Sequence, residues 1–226
     1  MHRLPHLAPL ARPDSLPLRR IGAACLRLLA GCLAAAAAGP LAAATLSVTV
    51  NDAAGAAVPE AVVFVMPASG RVPAGPPRPA VVEQINREFV PFVVPVQVGA
   101  SVTFPNRDSV RHHVYSFSPA RVFDIKLYTG VPANPVVFDK PGPVVLGCNI
   151  HDWMVGFVYA VETPWFGRTS ANGATSIELP AGDYEVRVWH PWQRGDIARE
   201  RVKVDAAATR ATLRIDLAPP ASAQRR

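Results

Sequence analysis

The chain has 226 residues, of which 50% are hydrophobic, and a formal net charge of +6. This length is enough for one or two hydrophobic cores, and 24 prolines and 15 glycines scattered between short β-branched runs indicate β-sheet rather than disorder. Without residues 1–44, 18 basic and 16 acidic side chains remain, a net charge of +2 that gives no argument for nucleic-acid binding.

Residues 1–44 have the organisation of a secretory signal peptide. Arginines precede the short apolar run 28–38, and Ala42-Ala43-Ala44 is a small-residue cleavage signal. We therefore expect cleavage after about Ala44 and a periplasmic mature protein, with a lipoprotein anchored through Cys32 as the alternative. No run of about 18 apolar residues follows residue 45, so we expect no membrane span in the mature chain.

From Leu46 onward, short runs rich in valine, isoleucine and aromatic residues alternate with turn residues. The predicted strands are 46–50, 61–65, 81–85, 92–98, 101–105, 112–117, 122–128, 136–138, 144–146, 155–161, 176–179, 184–189, 201–204 and 212–217. A connector rich in proline and glycine occupies residues 67–79. Since no long run with helical periodicity lies outside the leader, the chain is predicted to be all-β.

The cysteines point to a metal site. Cys25 and Cys32 lie in the leader, which leaves Cys148 as a single thiol that is either buried and inert, reactive, or bound to metal. Cys148 is followed at three-residue intervals by His151 and Met154. A thiolate, an imidazole and a thioether favour copper over magnesium or calcium, and a short loop can turn all three toward one ion.

A second segment, Phe104-Pro105-Asn106 followed by His112, completes a resemblance to the cupredoxins, which include plastocyanin, pseudoazurin and amicyanin. The resemblance covers about residues 80–162 and is closest to the cupredoxin-like proteins of methylamine utilisation. It implies a Greek-key β-sandwich with one mononuclear type 1 copper. The copper ligands carry over to four residues: His112, Cys148, His151 and Met154.

The chain departs from the family at His113, where many members have asparagine directly after the first histidine ligand. Neighbours in a strand face opposite sides of a sheet, so His112 and His113 cannot both enter one site without a bulge. The position after Asn106 favours His112 as the ligand. His113 is then predicted to support the site through a ring nitrogen, by tying the two ligand loops together.

The flanking residues 46–66 and 163–217 resemble the two halves of a carboxypeptidase-regulatory-like β-sandwich. Neither half has enough strands to close a sandwich, so we expect the cupredoxin domain to be inserted between them. The predicted organisation is a signal peptide (1–44), the first strands of the regulatory-like sandwich (45–67), the cupredoxin domain (80–162), the rest of the sandwich (163–217) and a flexible tail (218–226). The alternative is a cupredoxin that begins with strand 46–50 and is followed by a separate small β-module.

Four protein donors leave no open position for a substrate, which favours an electron carrier over an enzyme. The resemblance implies a c-type cytochrome or a periplasmic dehydrogenase as partner. His151 lies in the ligand loop and is therefore the expected electron port. Trp153 and Phe157 flank this loop, either as core residues or as an apolar collar at which a partner docks. A copper chaperone or sensor with the same ligands is the alternative function, and a structural sandwich with an incidental site is a third. His190 lies outside the constellation and is assigned a structural or surface role.

Overall fold

The computed structural model describes residues 43–73, 75–205 and 208–218, which form strands and loops without a helix. The strands are β1 (Ala43–Asp52), β2 (Val62–Pro67), β3 (Ala80–Val81), β4 (Glu83–Ile85), β5 (Glu88–Val90), β6 (Val93–Gln97), β7 (Ala100–Thr103), β8 (His112–Ser118), β9 (Arg121–Tyr128), β10 (Val136–Phe138), β11 (Gly142–Gly147), β12 (Val155–Val161), β13 (Phe166–Arg168), β14 (Ala174–Pro180), β15 (Gly182–Trp189), β16 (Ala198–Val204) and β17 (Thr209–Ile215). The all-β prediction is confirmed. Within this part of the chain, no helix is long and apolar enough to cross a membrane.

The central strands form a sandwich of two sheets. A five-stranded sheet has the order β6-β12-β11-β8-β9 and a three-stranded sheet the order β10-β7-β3. Inward side chains of both sheets, among them Val102, Phe138, Val114, Leu146 and Val158, share one buried core. The chain changes sheet between β6 and β7, β7 and β8, β9 and β10, and β10 and β11, as in Greek-key sandwiches.

The flanking segments form the second sandwich expected of them. β1 pairs with β14 and, in parallel, with β17, while β2 pairs with β13 and β15, so the first and last parts of the chain meet. β16 completes the second sheet, and one apolar core lies between the two sheets. β1 already begins at Ala43, and buried Ala44 pairs with Leu179, so cleavage after Ala44 would shorten this strand. The rest of the predicted leader, and the tail from residue 219, lie outside the described residues.

A third buried cluster joins the two sandwiches. Val62 and Phe64 of β2 pack with Val93 of β6 and with Tyr159 and Val161 of β12. Aromatic side chains extend this seam: the Tyr159 and Trp189 rings lie 4.7 Å apart, and those of Phe157 and Phe92 lie 5.3 Å apart. Phe157, which we placed beside the copper loop from sequence, therefore belongs to the seam.

Most strands lie where the sequence predicts them, and the departures involve short elements. The predicted strand 81–85 divides into β3 and β4, because the chain leaves one sheet at Val82 and enters the hairpin β4–β5. β5 and β13 are absent from the predicted strands, because these three-residue elements (Glu88–Val90 and Phe166–Arg168) contain charged residues and a glycine and show no apolar run.

His190, at the end of β15, is buried, with 4% of its surface exposed, so the surface alternative is wrong. The Trp192 backbone N–H donates to its Nδ1 at 3.3 Å, which requires this nitrogen to be unprotonated. Burial lowers the pKa of His190 to about 4, although a hydrogen bond with the Pro59 backbone acts in the opposite direction. The neutral ring therefore ties the loop after β15 to the loop before β2.

We expect His190 to make the metal-free protein sensitive to acid. Its pKa in the folded state lies below the unfolded value of about 6.5, so the stability that it contributes is present above that value and is lost as the pH falls toward 4. Between about pH 7 and about pH 4.5 the loss should reach about 2–3 kcal/mol. Urea unfolding of wild type and His190→Gln at both pH values measures it. An equal loss of stability in the two proteins would contradict this assignment.

Candidate metal centre

The pairing of β8 with β11 brings two of the predicted ligands together. Gly147 at the end of β11 pairs with Tyr115 of β8 in antiparallel register. Cys148, the next residue, therefore lies opposite Val114. His112 is two residues from Val114 and so points to the same inner face, where it is the diagonal neighbour of Cys148. His112 has none of its surface exposed and Cys148 has 3%, so both face the core.

The loop between β11 and β12 supplies the other predicted donors. Its chain turns back on itself, and the Met154 N–H donates to the His151 carbonyl at 2.9 Å. The turn leaves Met154 buried in the same core cluster as Cys148, whereas His151 is half-buried. The sequence from Cys148 to Met154 thus forms a loop at the end of the sandwich, as its residue types predict.

Three donor atoms converge at this end of the sandwich. The ligand atoms of His112, Cys148 and His151 lie within 4.8 Å of one another. The Cys148 Sγ lies 4.0 Å from His112 Nδ1 and 3.7 Å from His151 Nδ1. Metal–nitrogen bonds of about 2.0 Å and a metal–sulfur bond of about 2.3 Å, at roughly 120°, would place nitrogen and sulfur about 3.7 Å apart. Both sulfur–nitrogen distances in the protein are close to this value, as a trigonal metal site requires.

Asp108 fixes which nitrogen of His112 faces this site. Its Oδ2 lies 2.7 Å from His112 Nε2, which leaves Nδ1 turned toward Cys148. The carboxylate also accepts hydrogen bonds from the backbone N–H groups of Asn86 at 2.7 Å and Arg87 at 2.9 Å. Burial acts to raise the pKa of Asp108, but the hydrogen bonds from Arg87, His112 and Asn86 outweigh it and lower the pKa below its ordinary value of 3.8.

Asn106 shapes the loop that carries Asp108. Its side-chain Nδ2 donates to the carbonyls of Val110 and Tyr128, both at 2.9 Å, and its Oδ1 accepts from the Asp108 N–H. These bonds fix the path of the chain from the end of the predicted strand 101–105 into β8. The asparagine that directed attention to His112 in the sequence thus has a structural role.

His112 and His113 face opposite sides of the sheet, as strand geometry predicts. Val114 of β8 pairs with Ile125 of β9, and His112 pairs with Tyr128. One residue separates the first members of these pairs and two separate the second, so the bulge lies in β9 and the alternation of β8 is preserved. The His113 Nε2 contacts Asp124 Oδ1 of β9, and its ring lies 5.4 Å from that of Tyr115. The hydrogen bond of His113 therefore runs to β9 rather than to the ligand loop.

The environment of His151 favours its neutral form. Burial, followed by the positive charges of His112 and Arg87, lowers its pKa below 6.5, although Asp108 acts in the opposite direction. A neutral imidazole is the form that binds metal, because its lone pair is free. The ring lies 4.9 Å from that of His112 and 5.3 Å from that of Trp153.

Two features of the site have only weak signals in the sequence. Asp108 is not among the predicted site residues, although it lies four residues before His112. Gly147 was also passed over, although a Cβ at this position would lie 2.7 Å from Tyr115 Cζ. The absent side chain lets the Tyr115 ring lie against the backbone directly before Cys148.

No family model and no curated protein matches the chain. Among solved structures, a copper-containing nitrite reductase from Thermus scotoductus SA-01 is 26% identical, with a TM-score of 0.36 over 43% of this chain and 25% of that chain. A variant of amicyanin is 21% identical, with a TM-score of 0.33 over 36% of this chain and 80% of that chain. A purple cupredoxin from Nitrosopumilus maritimus is 25% identical, with a TM-score of 0.32 over 36% of this chain and 96% of that chain. The chain thus spans a quarter of the reductase. The matches include cupredoxins, the family that the sequence resembles.

Proposed function

We propose that this protein is an exported type 1 copper protein that carries single electrons between periplasmic redox partners. The observation that supports the proposal is the convergence of two imidazole Nδ1 atoms and one thiolate sulfur, at sulfur–nitrogen distances of 3.7 and 4.0 Å. Two histidines and one cysteine in a trigonal arrangement, with a weak axial methionine, are the donor set of blue-copper electron-transfer sites. Met154, buried in the same core cluster as Cys148, is the methionine that would complete this donor set.

Each of the four residues has a distinct role in this proposal. When bound, copper would supply a one-electron couple between Cu(II) and Cu(I). His112 lies in β8 and Cys148 directly follows β11, and both side chains are buried, so little rearrangement would be needed when the charge of the ion changes. His151 is the half-buried donor and the route by which an electron reaches the surface.

The burial of the donors favours a carrier over a chaperone. His112, Cys148 and Met154 are each at most 3% exposed, and only His151 is half-buried. A chaperone must pass its ion to another protein by ligand exchange, which requires donors that an incoming group can reach. Here such exchange would require the loop between β11 and β12 to leave the core.

Addition of Cu(II) to the purified protein should produce an intense visible band in the orange-red, because the thiolate of Cys148 donates charge to the ion. Ascorbate should bleach this band by reduction to Cu(I), and Cys148→Ser should abolish it. His190→Gln, which alters a buried histidine outside the site, is the matched control and should keep the band.

A colourless wild-type protein that binds Cu(I) and transfers it readily to a chelator would contradict the carrier and support the chaperone. A band that persists in Cys148→Ser would show that the ion binds elsewhere and would refute the assigned ligands.

We further propose that redox partners dock around His151. Trp153 is 64% exposed beside the His151 ring, and Ile150 of the same loop is 46% exposed. Arg87 and Asp152 place charges of both signs near this loop, so its apolar side chains are the common feature. Trp153 is the anchor that we expect, because aromatic residues dominate binding at protein interfaces. A c-type cytochrome or a periplasmic dehydrogenase is the partner that we propose.

Replacement of Trp153 by alanine should slow electron self-exchange between Cu(I) and Cu(II) copies, which NMR line broadening measures without knowledge of the partner. We expect a roughly tenfold decrease, equivalent to about 1.4 kcal/mol lost in the encounter complex. The control is Phe117→Ala, since Phe117 is 79% exposed but lies five residues from His112 along β8, about 16 Å away. Equal rates in Trp153→Ala and wild type, with the visible band unchanged, would refute this docking surface.

A further inference from the structure

Two consecutive histidines of β8 each contact a carboxylate. The Nε2 of His112 lies 2.7 Å from Asp108, and the Nε2 of His113 contacts Asp124. Only the first pair includes an assigned copper ligand. The four donors of the proposed site leave Asp108 without a role, although the protein holds this carboxylate with three hydrogen bonds.

We propose that Asp108 is a positioning residue that fixes the ring of His112 and strengthens it as a donor to Cu(II), and thereby lowers the reduction potential of the site. The inference rests on the copper-binding function proposed above. It assigns to this chain a carboxylate–histidine–copper arrangement built on a side chain four residues before the ligand.

The geometry gives Asp108 a direct effect on the ring orientation. The His112 side chain has no exposed surface, so water cannot satisfy its Nε2–H, and Asp108 is the hydrogen-bond partner of this nitrogen. A buried donor without a partner costs about 1–3 kcal/mol. The ring is therefore stable with Nε2 toward Asp108 and Nδ1 toward Cys148, even before a metal ion is present.

The charge of the carboxylate affects the donor strength. Hydrogen bonds from the backbone N–H groups of Asn86 and Arg87 orient both carboxylate oxygens and favour the ionised form of Asp108. An ionised acceptor on one imidazole nitrogen raises the basicity of the other. Cu(II) carries the larger charge and gains more from a stronger donor than Cu(I), so the oxidised form is favoured.

The β4–β5 hairpin determines where this carboxylate lies. The two residues of its turn, Asn86 and Arg87, have left-handed backbone φ angles of 55° and 61°, which direct their N–H groups at Asp108. The hairpin thus supports the site although it contributes no ligand.

The test is the reduction potential of copper-loaded Asp108→Asn, which keeps the size of the side chain and removes its charge. We expect the visible band to remain and the Cu(II) affinity to fall by about 10–100-fold, the usual effect of losing such a partner. If the Cu(I) affinity falls tenfold less than the Cu(II) affinity, the potential rises by about 59 mV.

Asp124→Asn is the matched control, because it removes the same charge from the neighbouring His113 and leaves His112 untouched. Its potential should shift much less than that of Asp108→Asn. An unchanged potential in Asp108→Asn, or equal shifts in the two variants, would overturn the inference. A wild-type protein without a band that depends on Cys148 would instead refute the proposed function, so the two failures are distinguishable.

A second measurement needs no variant and therefore holds even if Asp108→Asn does not fold. In the diamagnetic Cu(I) protein, NMR should show a His112 Nε2–H proton that exchanges slowly with solvent, since it is buried against Asp108. The corresponding proton of half-buried His151 should exchange faster. Rapid exchange at His112 would overturn the inference.

Discussion

The register between β8 and β11 is the constraint on which the candidate site depends. The pairing of Gly147 with Tyr115 places Cys148 on the inner face, diagonally opposite His112. A slip of one residue would turn Cys148 to the outer face and separate the sulfur from both imidazoles. Tyr115 supports this register from outside, because its ring occupies the space that a side chain at residue 147 would fill.

The second sandwich stabilises the opposite side of the same sheet. β6 is an edge strand of the five-stranded sheet, and it packs against β2 through the apolar seam that includes Val93 and Phe64. β12, which continues from the ligand loop, contributes Tyr159 and Val161 to that seam. The loop with His151 and Met154 is thus followed by a strand that is packed on both faces, so movement of the loop is resisted at its C-terminal end.

The sequence was most informative where residue types typical of metal ligands occur in a strand or at the end of one, since strand alternation then indicates which side chains share a face. The spacing of Cys148 and His151, and the alternation that separates His112 from His113, directed attention to three side chains whose donor atoms lie within 4.8 Å of one another. The role of Met154 as the fourth ligand stays a prediction. The role of Asp108 could not be predicted, because it depends on a hairpin turn 22 residues earlier in the chain. The bulge in β9 was equally hidden, since strand patterns show neither an extra residue nor its location. The leader and the resemblance of the flanking segments remain predictions.

In the proposed carrier, the folded chain presents two imidazole nitrogens and one thiolate in an arrangement that needs little rearrangement on electron transfer. X-ray absorption at the copper edge, recorded on the oxidised and the reduced protein, measures the number and distance of these donors. We expect two nitrogen donors and one short copper–sulfur bond in both oxidation states. Loss of a nitrogen donor on reduction, or a second thiolate from another copy of the chain, would contradict it.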